Sequence, residues 1–220
     1  MSKKKAKTAK LVKLYTRYLD SEDVAVFIRD VSQQYTIATL QRLANCGSRI
    51  TRRAAVLALG MLAGYESNHT LGQAMHDSDR GVRLLAEEGI RQLWSRDGSE
   101  SQRHDLKLIA RLNAAEQFED AECEAGQLIE QAPWFAEAWN QRAIALFHMG
   151  QYEESANDCH QTLELNPYHY GAAVGMAHCY LEMNDAFAAL ECFRRALKLN
   201  PDMEGVRMQI EFLERSLEGK

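Results

Sequence analysis

Proline is nearly missing from this chain: its 220 residues hold 3. Glycine is thin as well, with 13 spread along the length, so little stands in the way of long helices. Long hydrophobic runs are absent. The longest, residues 54–64 (AAVLALGMLAG), falls well short of the ~20 apolar residues that cross a bilayer. No apolar stretch follows the N-terminal lysines, so a secretory leader is not expected. The 5 cysteines are odd in number and include no C-x-x-C spacing. That excludes a disulfide framework and points to a reduced, cytoplasmic setting. Catalytic signatures are missing too. There is no G-x-S-x-G, no H-E-x-x-H and no glycine-rich phosphate loop, and the Glu87-Glu88 pair falls on an expected solvent face. The chain is therefore not read as an enzyme.

The composition is that of a folded protein, 46% apolar and 26% charged. The net charge of −5 hides an asymmetry. Residues 1–99 carry a net +6 and residues 100–220 a net −11. The sign changes near the polar segment SRDGSES at residues 95–101, whose serines and Gly98 are loop signals. A domain boundary is expected there.

The three prolines form a ruler. Pro133, Pro167 and Pro201 stand at equal intervals. A period of this size, about 34 residues, marks an array of helical hairpins, each needing its neighbour to cover its apolar face. No segment reads as strand. The expected fold is all-α, an α-solenoid of helical hairpins.

The unit ending at Pro167 carries Trp139, Ala143, Gly150, Tyr152, Ala156 and Leu163 in a set frame. The next repeats it with Ala173, Ala177, Tyr180, Ala189, Phe193 and Ala196 before Pro201. The first is weaker: Leu108, Leu112, Phe118, Ala121 and Leu128 precede Pro133, and Asp105 replaces the early aromatic. These units resemble tetratricopeptide repeats (TPRs), and the chain looks like a bacterial soluble TPR protein. The resemblance covers residues 102–203, as units 102–135, 136–169 and 170–203. Residues 204–218 follow as a capping helix, with Val206, Ile210, Phe212, Leu213 and Leu217 as its apolar set.

The N-terminal half is organised differently. Residues 1–10 (MSKKKAKTAK) form a flexible basic tail, read either as a solubilising end or as a contact for phosphates or anionic lipid. From Leu11 the period is helical: Leu11, Leu14, Tyr15, Tyr18 and Leu19 share one face, with a stop and cap at Asp20-Ser21. Val24, Phe27, Ile28 and Val31 share the next. One constant shift then lays Leu40 on Leu71, Arg52 on Arg83, Ala55 on Ala86, Leu59 on Ile90 and Leu62 on Leu93. The second copy resembles a HEAT repeat, with Asp77, Asp79, Val82, Arg83 and Ala86 in place. In the first, Cys46 and Ser48 stand where the aspartates would be. Residues 11–96 are thus expected to form a HEAT-like helical repeat domain. Arg52 and Arg83 are read as structural partners of the turn carboxylates. Lys3, Lys4, Lys5, Arg49, Arg53 and Arg80 are left as a possible basic patch.

The TPR resemblance implies an inner groove lined by the first helix of each hairpin. Carried over unit by unit, it offers Leu106, Ala110 and Asn113, then Asn140, Ile144, Phe147 and His148, then Val174, His178 and Leu181. TPRs that grip the acidic tails of chaperones clamp a carboxylate with lysine, arginine and asparagine. Here those places hold Leu106, Ala110, Gln141, Gly171 and Gly175, so no carboxylate clamp is expected. An apolar groove with amide and imidazole spots suits a peptide with apolar anchors. Cys159-His160 and His178-Cys179 tempt a metal reading, but neighbours on a helix point about 100° apart. Buried, inert thiols and no metal or cofactor are expected.

The function these readings imply is that of an adaptor or scaffold for a protein or peptide partner. Two alternatives stand beside it. One is association with nucleic acid or an anionic surface through the basic N-terminal half; the other is a HEAT-like cofactor lyase. The opposed charges of the halves also suggest weak self-association, sensitive to salt.

Overall fold

The computed structural model describes the backbone of residues 2–219 and the side chains of residues 10–219. The side chains of Lys3, Lys4 and Lys5, three of the basic-patch candidates, lie outside the described residues. Among the described residues there is no strand, and no helix is long and apolar enough to cross a membrane. The chain divides into two compact units, one ending at Arg96 and the other starting at Asp97.

The first unit opens with α1 (Ser2–Ser21) and α2 (Val24–Ser32). The α1 backbone begins ahead of the expected start at Leu11, through lysines and alanines that favour helix. Leu11, Leu14 and Tyr15 are buried, whereas Leu19, expected on the same face, is exposed. The turn places Glu22 at φ 54. The cap of α2 is Asp23 rather than the expected Asp20-Ser21, and its Oδ1 accepts the Val26 N–H at 2.9 Å.

Two hairpin-like pairs follow: α3 (Ile37–Cys46) with α4 (Arg49–Leu62), and α5 (Asn68–Ala74) with α6 (Arg80–Ser95). Their caps obey the same constant shift that aligns the two sequence copies. Ser48 accepts the Thr51 N–H at 3.4 Å, and Asp79 accepts the Val82 N–H at 3.1 Å. Leu40, Leu71, Ala55, Ala86, Leu59 and Ile90, matched in sequence, are all fully buried. Arg96 closes the unit by donating to the carbonyls of Gly60, Met61 and Ala63 at the C-terminal end of α4.

The second unit is a run of hairpins. It comprises α7 (Glu100–Ala114), α8 (Phe118–Gln131), α9 (Ala136–His148), α10 (Tyr152–Leu165), α11 (Tyr170–Glu182), α12 (Ala186–Leu199) and α13 (Glu204–Glu218). From α8 on, helix starts recur at the proline interval: Phe118, Tyr152 and Ala186, and again Ala136, Tyr170 and Glu204. α7 starts at Glu100 because Ser99 and Gln102 cap one another's backbone N–H groups.

The turns inside the hairpins repeat as faithfully. Glu116, Gly150 and Asn184 all take positive φ, between 59° and 78°. The next N–H of each turn reaches back into the preceding helix: Gln117 to Leu112 O, Gln151 to Leu146 O and Asp185 to Tyr180 O, at 2.8–2.9 Å. The core lies between successive helices, with Ala143, Ala173, Ala177 and Ala189 allowing close approach around Phe193. Leu108, placed by the sequence frame, is 41% exposed; its neighbour Ile109 fills the core instead. α13 buries Val206, Ile210 and Leu213 against this core, while Phe212, expected among them, points outward.

Candidate functional site

α9, α10 and α11 enclose a pocket of ≈ 220 Å³. Its walls are Asn140, Ile144, Phe147 and His148 from α9 and His178 from α11, and its floor includes Ser155 and Cys159 from α10. Gly171 and Gly175, one turn apart on α11, leave the opposite wall without side chains. The first helices of the two repeats, α9 and α11, thus supply the walls, and α10, the second helix of the earlier repeat, supplies the floor.

The frame around the pocket is stiff. Arg142 on α9 gives a two-pronged ion pair to buried Asp158 on α10, Nε at 2.7 Å and Nη2 at 2.9 Å. The same guanidinium lies 5.1 Å from the centre of the Trp139 ring, whose Nε1 donates to Pro133 O at 2.9 Å. Rings then follow one another across the hairpins. Phe118 stacks on His148 at 4.6 Å, Phe147 meets His148 edge-on at 5.6 Å, and His178 meets Phe193 edge-on at 5.3 Å. Burial lowers the His178 pKa below its ordinary value, which keeps its imidazole neutral at pH 7.

A polar chain runs alongside. Asn113 on α7 donates to Gln141 O at 2.9 Å and to Gln141 Oε1 at 3.1 Å. Gln141 and Asn140 both donate to Glu137 Oε1 at 3.0 Å. His169 Nδ1 accepts the Ala172 N–H at 2.9 Å, capping α11. Its Nε2 therefore carries the proton and donates to Glu137 Oε2 at 3.0 Å. Burial pushes the Glu137 carboxyl up, but the His169, Gln141 and Asn140 donors outweigh it and hold it below the usual range. Three hairpins are joined by this chain.

Five of the ten groove candidates, Asn140, Ile144, Phe147, His148 and His178, come together in the pocket, and Ala110 is exposed outside it. The other four do not join them. Leu106 is 3% exposed and sits in the α7–α8 core. Asn113 is held by Gln141, and Val174 and Leu181 pack against the C-terminal core. Two residues escaped the sequence frame. Met208 and Phe212 on α13 are 60% and 62% exposed, one further repeat interval beyond Val174 and His178. Carrying the ruler past the last proline finds them.

In the first unit the candidate patch loses Arg53. Its Nε and Nη2 bind both oxygens of Asp79 at 2.6 and 2.9 Å, so its charge is met internally. Arg52 does the same with Asp77 at 2.6 and 2.7 Å. Arg83 donates to Asp77 O at 3.0 Å. Arg49 and Arg80 are exposed. Among the described residues, no three His, Cys, Asp or Glu side chains are grouped to hold a metal ion.

Models of the tetratricopeptide repeat family match residues 136–169 and 170–203. The chain carries tetratricopeptide repeats. The pocket lies between those two TPRs. A TPR repeat-containing protein of Rhizobium etli is 33% identical over 87 residues, 40% of this chain. The chain spans only 43% of that relative's length. Among solved structures, the first TPR of Spaghetti (RPAP3), bound to the HSP90 peptide SRMEEVD, superposes with a TM-score of 0.53 at 15% identity. It covers 55% of this chain and 96% of its own. YrrB, a TPR protein with an unusual peptide-binding site, gives 0.46 at 16% identity over 92% of this chain and 97% of its own.

Proposed function

We propose that the TPR unit is a peptide-binding module of an adaptor or scaffold, with no reaction of its own. The partner presents an extended or helical segment and inserts one large apolar side chain between α9 and α11. The observation that carries this reading is the pocket itself: an apolar, aromatic-lined recess of ≈ 220 Å³ rimmed by Asn140, His148 and His178. A few polar groups around an apolar well fix a ligand's direction while burial supplies the affinity. Spaghetti's TPR is bound to the HSP90 peptide SRMEEVD; we propose a different ligand for this groove. At the clamp positions Leu106 is buried, Gln141 is engaged by Asn113, and Gly171 and Gly175 offer no cation. We read the first unit as HEAT-like support, because the turn carboxylates Asp77 and Asp79 bind arginines of the preceding hairpin.

Selection of a random peptide library on the full chain tests this. Enrichment of sequences with a bulky apolar residue, with binding lost in Gly171→Leu, is the expected result. Binding of SRMEEVD that outlasts that substitution overturns it.

A further inference from the structure

The pocket between α9 and α11 has a hydrogen-bond polarity. Asn140 donates Nδ2 to Glu137 Oε1 at 3.0 Å. A carboxylate has no hydrogen to give, so the amide cannot be turned the other way round. Glu137 is itself pinned: its Oε1 also accepts from Gln141 Nε2 at 3.0 Å, and its Oε2 accepts from His169 Nε2 at 3.0 Å. What Asn140 has left to offer a guest is Oδ1, to which no hydrogen bond runs among the described residues. Ser155 on the floor is committed in the same sense. Its Oγ donates to Ala143 O at 2.7 Å and keeps only lone pairs, one of which accepts from Cys179 Sγ at 3.2 Å. Both groups accept and neither donates. We infer that the side chain this pocket takes is a tryptophan, with its indole N–H donated to Asn140 Oδ1.

Other large apolar side chains match the pocket less well. Leucine, isoleucine, methionine and phenylalanine bring no donor and would cover Asn140 Oδ1 without a partner, which costs binding. Tyrosine brings a donor but also lone pairs that neither Asn140 nor Ser155 can meet. Indole donates and accepts nothing, as a pair of pure acceptors requires. His178 completes the wall as a ring: it lies 6.5 Å from Phe147 and 5.3 Å from Phe193, edge-on to both, and is neutral, so it offers an aromatic contact.

The shape agrees with the polarity. Gly171 and Gly175 leave a bare strip of α11 backbone about 6 Å long. A flat, fused ring can lie along it, facing Ile144 and Phe147 across the pocket. A Cβ at Gly175 would stand 3.1 Å from Cys159 Sγ and narrow that slot. Glu137 acts as a positioning residue here, since it decides which end of the Asn140 amide a guest meets. This inference rests on the peptide-binding reading and names the residue that such a peptide must carry.

The full chain is panned against a random peptide library, and the strongest binder is made again with 3-benzothienylalanine in place of its tryptophan. That residue keeps the fused-ring shape and has sulfur where the N–H was. Calorimetric titration is expected to show the second peptide binding roughly tenfold more weakly. In Asn140→Ala the two peptides should bind within about twofold of each other, whereas a merely structural Asn140 would weaken both and leave their ratio unchanged. Enrichment of leucine, isoleucine, methionine, phenylalanine or tyrosine instead of tryptophan overturns the inference and leaves the peptide-binding reading standing. So does equal affinity of the two peptides for the unaltered chain, or a ratio that persists in Asn140→Ala. Binders without any bulky apolar residue would end both. If Asn140→Ala fails to fold, the two peptides on the unaltered chain decide alone.

Discussion

Gly60 of α4 and Gly89 of α6 meet backbone to backbone. A Cβ on Gly60 would stand 2.7 Å from Gly89 Cα, and a Cβ on Gly89 would stand 2.9 Å from Gly60 Cα. No flexible side chain is there to move aside. Gly60→Ala gains helix propensity of about 1 kcal/mol but forces the helices apart at a cost of roughly 1–3 kcal/mol or more. Net destabilisation is expected. Gly126→Ala, in the interior of α8, is the contrasting case, since its Cβ would meet only Arg142 Nη1 at 3.9 Å. It should stabilise by about 0.5–1 kcal/mol. Urea unfolding of the two variants should show midpoints moving in opposite directions.

The hairpin turns predict a second pair of opposite effects. Glu116, Gly150 and Asn184 hold equivalent left-handed positions, at φ 59, 78 and 62. Glycine adopts that region freely and asparagine tolerates it, but glutamate does so under strain. Glu116→Gly is expected to raise stability by up to about 1 kcal/mol, and Gly150→Ala to lower it by about 1 kcal/mol. A lower thermal midpoint for Glu116→Gly would contradict the argument.

The same turns show what the chain's sequence reveals and what it hides. Regular spacing was legible: evenly placed prolines announce hairpins that start at the same interval. The constant shift in the first half pairs Ser48 with Asp79, and both cap helices. Periodicity fixes which face of a helix a residue occupies, but not how deep that face lies. Leu106 and Asn140 hold the same place in successive repeats, yet one is buried in the core and the other is half-buried at the pocket rim. Long side chains are harder still. Arg53 and Arg49 differ little in sequence context, and only the approach of the α5–α6 turn carries Asp79 to Arg53. The pocket depends on two glycines and a serine, residues whose contribution is the space they leave.

Those arginine pairs make the first unit sensitive to acid. Arg53 beside Asp79 holds that carboxyl below its ordinary value. Burial pushes Asp77 up, but Arg52 and the Asp79 N–H bring it below as well. Groups lowered in the folded state contribute stability that is complete above the unfolded carboxylate pKa, about 4. It is lost as pH falls through the lower folded values. Asp79→Asn keeps a capping side chain but removes the ion pair. Stability at neutral pH should drop, and its decline below about pH 4 should be shallower than in the unaltered protein. Equal slopes in circular-dichroism melts across that range would remove the pair from the account.

Met208 and Phe212 carry the last prediction. They are large apolar side chains left exposed close together on α13. Their partners on the same helix, Val206, Ile210 and Leu213, already cover the core, so folding does not require them. One more repeat interval places them next in the series that runs from Asn140 and Ile144 through Val174 and His178. If a peptide lies along that series, its trailing apolar residues rest on α13. Phe212→Ser should then leave stability within about 0.5 kcal/mol, as expected for a surface change. Binding of a library-selected peptide should weaken roughly tenfold, about 1.4 kcal/mol. Fluorescence anisotropy with the selected peptide reads the second quantity and urea unfolding the first. Unchanged affinity would confine the site to α9–α11, and a large loss of stability would make Phe212 a structural residue after all.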